Sequence, residues 1–194
     1  MTRIIAGRAG SLPLEVPTEG TRPTSDRVRE SLFGALESAD ALVGAAVCDL
    51  YAGSGALGLE ALSRGAASAE LVEKSPGAAA AAQRNAMRVL KTLDGGVRAR
   101  VHCMTVQAYL ASARGPFDLV FLDPPYNLGE TELTNALAAA AALLATEGII
   151  VVERARRSPE PDWRTAGLHA LRARAYGDTT LWWGQTHAEG RDGS

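Results

Sequence analysis

Two stretches of the chain hold residue types that could do chemistry together. In Asp49-Leu50-Tyr51-Ala52-Gly53-Ser54-Gly55-Ala56-Leu57-Gly58, three glycines recur at the spacing of a nucleotide-binding turn, and Glu73 follows twenty residues after Gly53. Such a turn lets backbone approach an adenosine, and a carboxylate at Glu73 can grip both ribose hydroxyls. The glycine pattern serves NAD and S-adenosylmethionine equally, so Asp49 discriminates between them. An acid beside the turn repels a pyrophosphate but suits the ammonium and sulfonium charges of S-adenosylmethionine. The plainer role open to Asp49 is to cap the helix that follows.

The second stretch is Phe117-Asp118-Leu119-Val120-Phe121-Leu122-Asp123-Pro124-Pro125-Tyr126. An apolar strand ends in an acid, two prolines and an aromatic, which suits methylation of a planar exocyclic amine. Such a nitrogen is weakly nucleophilic because its lone pair is delocalised, and it must become tetrahedral to attack a methyl. The Asp123 carboxylate would accept one N–H, and a carbonyl of the Pro124–Pro125 segment would accept the other. Tyr126 would stack on the base for about 1–3 kcal/mol. The proton can leave after transfer, so Asp123 need not be a strong base.

These motifs need a scaffold that brings them together. From Val47 onward apolar runs alternate with helical patterns, the signature of a mostly parallel sheet with helices on both faces, a Rossmann-like α/β fold. Strands are predicted at 47–50, 69–73, 97–103, 117–123 and 148–153, and helices at 26–37, 55–64, 77–91 and 131–144, with a short one near 106–111. Residues 168–175 and 179–183 flank Gly177-Asp178 and predict an antiparallel C-terminal hairpin. Ligands of open parallel sheets sit beyond the carboxyl ends of the strands at the topological switch, so both motifs should share one cleft. The first 23 residues, broken by glycine and proline, read as a small two-stranded β-ribbon that projects from a domain spanning 24–194.

Composition narrows the classes. The 194 residues are 46% hydrophobic and 22% charged, with net charge −2, which excludes wholesale disorder. The longest apolar run, Ala136 to Ala145, is too short for a membrane span, and the N-terminus lacks the apolar core of a secretion signal, so a cytoplasmic protein with no membrane partner is expected. Cys48 and Cys103 read as reduced, packed residues, and His102, His169 and His187 show no ligand spacing, so no metal is expected. The three tryptophans read as packing residues. A pI near 5.9 confines any nucleic-acid contact to a local patch.

The two motifs resemble those of class I S-adenosylmethionine-dependent amino-methyltransferases. More narrowly, Arg22-Pro23-Thr24-Ser25-Asp26-Arg27-Val28-Arg29-Glu30-Ser31-Leu32-Phe33 and Leu57-Gly58-Leu59-Glu60-Ala61-Leu62-Ser63-Arg64-Gly65-Ala66 resemble the RsmD-type family, over Arg3 to about Glu153. The resemblance implies a seven-stranded sheet and an N-terminal ribbon that engages RNA. It implies methyl transfer to N2 of one guanine in 16S ribosomal RNA, presented within the small ribosomal subunit or an assembly intermediate, with S-adenosylhomocysteine as product. On this resemblance Asp123, Pro124, Pro125 and Tyr126 are the catalytic residues. Asp49, Tyr51, Gly53, Ser54, Gly55, Glu73 and Lys74 hold the cofactor. Where the family commonly places an acid against the adenine, this chain reads His102-Cys103-Met104-Thr105, and a backbone group near Met104 or Thr105 takes that place. Arg3, Arg8, Arg22, Arg27 and Arg29 are the expected RNA contacts, whereas Arg154, Arg156 and Arg157 read as a solvated face. A monomer is expected.

Rival readings keep or discard the second motif. The same chemistry would serve adenine N6 or a protein glutamine, the latter disfavoured because asparagine is usual at the first position. A nicotinamide oxidoreductase leaves Asp123 to Tyr126 unexplained, and a noncatalytic RNA-binding assembly factor leaves both Asp49 and Asp123 without a role.

Overall fold

A computed structural model describes residues 2–16 and 25–186; Arg22 and His187 lie outside them. The sheet begins with β3 (Ala46–Leu50), after a small ribbon of β1 (Thr2–Arg3) and β2 (Pro13–Leu14) and the helix α1 (Asp26–Ser38). There follow α2 (Ala56–Ser63), β4 (Ser68–Glu73), α3 (Pro76–Leu90), β5 (Arg98–Cys103), α4 (Val106–Leu110), β6 (Phe117–Leu122), α5 (Glu130–Ala141), β7 (Leu144–Ala155), β8 (Leu168–Tyr176) and β9 (Thr179–Thr186). The seven-stranded sheet has the order β5-β4-β3-β6-β7-β9-β8. Pairing is parallel from β5 to β7 and antiparallel at β9 and β8, as the alternation predicts. No helix among the described residues is long and apolar enough to cross a membrane.

Helices cover both faces because each crossover must bury its apolar stripe. On one face Leu32, Phe33, Leu36, Leu59, Leu62 and Val89 from α1, α2 and α3 pack on Leu71, Leu119, Phe121, Val151 and Trp183. On the other, Val106, Tyr109, Leu133 and Leu137 of α4 and α5 pack with Trp163 on Val120, Leu122, Ile150 and Val152. Side chains alternate along each strand, so Leu119 and Phe121 face one layer while Val120 and Leu122 face the other. The helices change face between β3 and β6, and the switch point therefore lies between the strands that end at Asp49-Leu50 and Asp123.

The ribbon does not project. Ile4, Ala9 and Leu14 are buried in the same core as α1 and α2, and the ribbon's backbone is fastened to α2. The N–H groups of Ile5 and Ala6 donate to the Glu60 carboxylate at 2.7 and 3.0 Å. Ser63 accepts from Ala9 N–H at 2.9 Å and donates to the Ala6 carbonyl at 2.6 Å. Gly7 sits where a Cβ would stand 2.1 Å from the Ser63 carbonyl oxygen, at φ +80°, so only glycine permits that approach. A glycine- and proline-broken segment suggests a free arm in the sequence, but Ile4, Ala9 and Leu14 bury against the body.

Candidate active site

Each motif occupies the carboxyl end of a strand beside the switch point. β3 and β6 are in register with Asp49 opposite Phe121 and Leu50 opposite Leu122. The Asp123 N–H reaches the Leu50 carbonyl at 3.5 Å, which joins the last residue of β3 to the first residue after β6. The glycine turn and the Asp123–Tyr126 segment thus flank one another, as the sequence predicts.

In the turn, Gly53 and Gly55 adopt φ +55° and +81°, and Gly55 is the N-cap of α2. Gly58 is required by packing: a Cβ there would meet Leu71 Cδ2 at 2.3 Å, so the helix could not lie this close to β4. Glu73 ends β4 with its carboxylate turned onto the loop, accepting from Gly53 N–H at 2.9 Å and from Ser75 N–H at 2.7 Å. Those two bonds fix the carboxylate at the mouth of the turn. Ser54 offers its carbonyl to the amide of Asn85 at 3.0 Å, while Lys74 is exposed next to Glu73.

Asp49 adopts the plainer of its two expected roles. It is 1% exposed, and Oδ2 accepts from Gly58 N–H at 2.9 Å, capping α2 from the preceding strand. Its Oδ1, however, is buried with no hydrogen-bond partner among the described residues. Burial raises the carboxyl to about 7, opposed by the Gly58 N–H and assisted by the Glu73 charge. A buried, half-satisfied carboxylate beside a nucleotide turn favours a cationic ligand.

Tyr51 holds a left-handed backbone at φ +65°, an uncommon state for an aromatic residue and one that gathers at functional sites. Its hydroxyl is buried without a partner among the described residues and is pushed up to about 12, chiefly by burial. The charges of Glu132 and Arg154 also act on it, and the residue packs against the core layer that α4 and α5 cover. On the third expected cofactor segment Met104 is exposed, but Thr105 spends its hydroxyl on capping α4 through Ala108 N–H at 3.2 Å. Cys103 is exposed, contrary to expectation, while Cys48 is buried.

The acid–proline–proline–aromatic segment forms a tight turn. Pro125 accepts from Leu128 N–H at 2.9 Å, Pro124 is buried and Tyr126 is 66% exposed. A small cleft lined by Asp123, Pro124, Tyr126, Glu153, Arg154, Ala155 and Thr179 opens beside it. Arg154 does not stand on a solvated face: its side chain is buried and donates to Leu128 O at 3.2 Å and to Glu130 at 2.5 Å. It ties the loop after Tyr126, and the first turn of α5, to β7. Strand phase was the signal for this, since Ile150, Val152 and Arg154 alternate onto one face once β7 continues past Glu153.

The expected RNA contacts divide. Arg29 is fully buried, donating to the Arg3 carbonyl and to Asp26, both at 2.8 Å, with Glu60 at 3.8 Å. It cannot reach RNA, which corrects the expectation for that residue. Arg29 shares a helical face with Phe33 and Leu36 and holds α1 to the ribbon. Arg3 lies 3.6 Å from Asp26, and Arg8 pairs with Asp94. Arg27 is exposed in the first turn of α1.

Known proteins share both fold and sequence with this chain. The ribosomal RNA small subunit methyltransferase D of Escherichia coli strain K12 is 44% identical over 152 residues, 78% of this chain and 73% of the relative. The solved structure of yhhF from Escherichia coli is 36% identical, covering 97% of this chain and 99% of that one with a TM-score of 0.75. A magnesium protoporphyrin IX methyltransferase from Synechocystis, solved with bound SAM, is 16% identical but shares the fold at a TM-score of 0.66 over 86% of each chain. The profile of the family described as conserved hypothetical protein 95 matches residues 2–185. With nearly the whole chain matched and a relative this similar, the chain belongs to that family, the RsmD-type methyltransferases.

Proposed function

We propose that this chain transfers the methyl group of S-adenosylmethionine to the exocyclic N2 of one guanine in 16S ribosomal RNA. The observation that carries this is the placement of two motifs across one switch point: a glycine turn with a fixed carboxylate, and an acid–proline–proline–aromatic turn with an exposed ring. The relative named ribosomal RNA small subunit methyltransferase D supports the choice of ribosomal RNA. The substrate is then the RNA within the small subunit or an assembly intermediate, met in the cytoplasm by a monomer of this chain.

The residues present fit the donor. Glu73, already oriented by two N–H groups, keeps acceptor capacity for ribose hydroxyls, and the unpartnered Asp49 Oδ1 complements a positive charge. The donor supplies a methyl on a sulfonium, an electrophile whose leaving group is a neutral thioether and needs no acid. Asp49, Tyr51, Gly53, Ser54, Gly55, Glu73 and Lys74 would line its place, with Met104 beyond Glu73. Asp123 and a proline carbonyl then accept the two N–H bonds of the guanine amine. Because Pro125 O is engaged by Leu128 N–H, Pro124 O takes that role. Tyr126 presents its ring to the base, and Arg154 keeps the whole loop in place.

The test is transfer of labelled methyl to small ribosomal subunits from a strain lacking this gene, with naked RNA and ribosomal proteins alongside and nucleoside analysis of the product. N2-methylguanosine from the subunits is expected. Label in adenine or in protein would keep the donor and replace the substrate, and no label in any fraction would end the enzymatic reading.

A further inference from the structure

The ribbon's arginines turn inward or toward carboxylates of the same chain, whereas a second group faces outward at the far side of the sheet. Residues 156–178 carry five arginines against Glu160, Asp162 and Asp178, in a chain of net charge −2. β8 is the terminal strand of the sheet, and residues 170–175 are all exposed. The strand's irregularity falls between Ala170 and Arg172, so Arg172 and Arg174 lie beyond it, two residues apart and on one face. Their partners across the ladder are Trp183 and Leu181.

Both guanidiniums are laid on aromatic rings. Arg172 Cζ is 4.4 Å from the centroid of Trp183, and Arg174 Cζ is 5.4 Å from that of Tyr176. A stacked guanidinium has already lost part of its rotamer freedom and presents its N–H fork edgewise, the geometry that meets a phosphate bidentately. The Tyr176 hydroxyl is hydrogen-bonded to Ser31 of α1, and Arg27 stands one helical turn before Ser31 on the same side of that helix. The cationic face thus continues from the edge strand onto α1.

It also leads to the cleft. β9 is antiparallel to both β7 and β8, so β8 runs in the same direction as β7, and its Arg174–Tyr176 end lies at the carboxyl side with Asp123. Tyr176 pairs with Thr179, and Thr179 with Ala155. Thr179 and Ala155 line the cleft that holds Asp123, Pro124 and Tyr126. The exposed Arg156 sits at the same rim, donating to the Gly177 carbonyl at 3.3 Å.

We propose that Arg172 and Arg174, continued by Arg156 and Arg27, form a phosphate track that holds the RNA strand beside the target base. The inference rests on the function proposed above and moves the main RNA grip from the ribbon to the C-terminal hairpin. Charged residues on a terminal strand also discourage edge-to-edge pairing of sheets, and the experiment must separate the two roles.

The full chain carrying Arg172→Gln and Arg174→Gln keeps the β- and γ-methylenes and a polar end at both positions and removes both charges. Binding of small ribosomal subunits from the strain lacking this gene is measured from about 50 to about 200 mM salt, together with KM, kcat and donor affinity. Loss of two phosphate contacts should make the plot of log affinity against log salt shallower by about 1.4–1.8. KM for subunits should rise roughly tenfold, kcat should fall far less, and donor affinity should be retained. An unchanged slope and KM, with or without new dimers or aggregates, would leave the arginines as edge protection and overturn the proposal. A collapse of donor affinity with unchanged salt slope would do the same, by showing a structural role. Should the unsubstituted chain fail to methylate subunit RNA at all, the proposed function falls first and this inference with it.

Discussion

Asp49 and Asp123 stand at the ends of neighbouring strands, and burial gives them different work. The ordinary carboxyl value of Asp49 is 3.8 and the folded one about 7. Between those limits the folded chain retains a proton that the unfolded chain has released, so this group weakens the ligand-free fold as pH rises from about 4 to about 7. In Asp49→Asn, whose side-chain oxygen can still accept from Gly58 N–H, thermal midpoints should therefore decline less over that window than in the parent. Identical pH profiles would mean that Asp49 titrates alike in the folded and the unfolded chain. A cationic donor favours the carboxylate, so donor affinity should rise with pH through about 7, with proton release visible by calorimetry in buffers of different ionisation enthalpy. Asp123 is only half-buried, and its proposed work is confined to the transition state. Asp123→Ala should lower kcat by about 10²-fold or more with donor affinity near normal; full turnover would remove Asp123 from the mechanism.

Elements place these carboxylates, and two buried polar residues do much of the placing. Asn85 on α3 accepts from Glu15 N–H and donates to Glu15 O, both at 2.9 Å, and donates to Ser54 O at 3.0 Å. One amide thus joins the segment after β2 to the glycine turn. Arg154 does the same for β7 and the loop before α5. In Arg154→Ala the Leu128 carbonyl and Glu130 lose their donor, and since Glu130 is half exposed the expected loss is about 1–3 kcal/mol and not the larger cost of a fully buried pair. Chemical denaturation reads that loss. The kinetic mark is a fall in kcat larger than any change in donor affinity, because the loop carries Asp123 and Tyr126 while the glycine turn is untouched. Neither residue was legible as a motif. Arg154 sits in Arg154-Ala155-Arg156-Arg157, which looks like a charge run until β7 is known to reach Ala155, and Asn85 lies in an alanine-rich helix whose partners are 31 and 70 residues away.

At the scale of the molecule, the sheet was legible because alternation of apolar runs and helical stripes is a local signal repeated five times, and the glycine turn and proline pair announce themselves by spacing. The site followed from the rule that strand ends converge at the switch point. The ribbon itself was legible but its docking was not, since its place depends on Glu60 and Ser63, more than fifty residues away, and on a glycine whose need is seen only against α2. Its docking reverses what its removal should do. Deleting residues 2–16 strips Ile4 and Leu14 from the core, each contributing about 1.5–3 kcal/mol by burial. It also leaves the fully buried Glu60 without the N–H groups of Ile5 and Ala6 and takes the Arg3 carbonyl from Arg29, whose Nε and Nη1 already lack hydrogen-bond partners among the described residues. The truncated chain should therefore lose several kcal/mol in urea denaturation and lose donor binding along with RNA binding. A projecting arm would give the opposite result: an unchanged midpoint, normal donor affinity, and a loss confined to the ribosomal subunit.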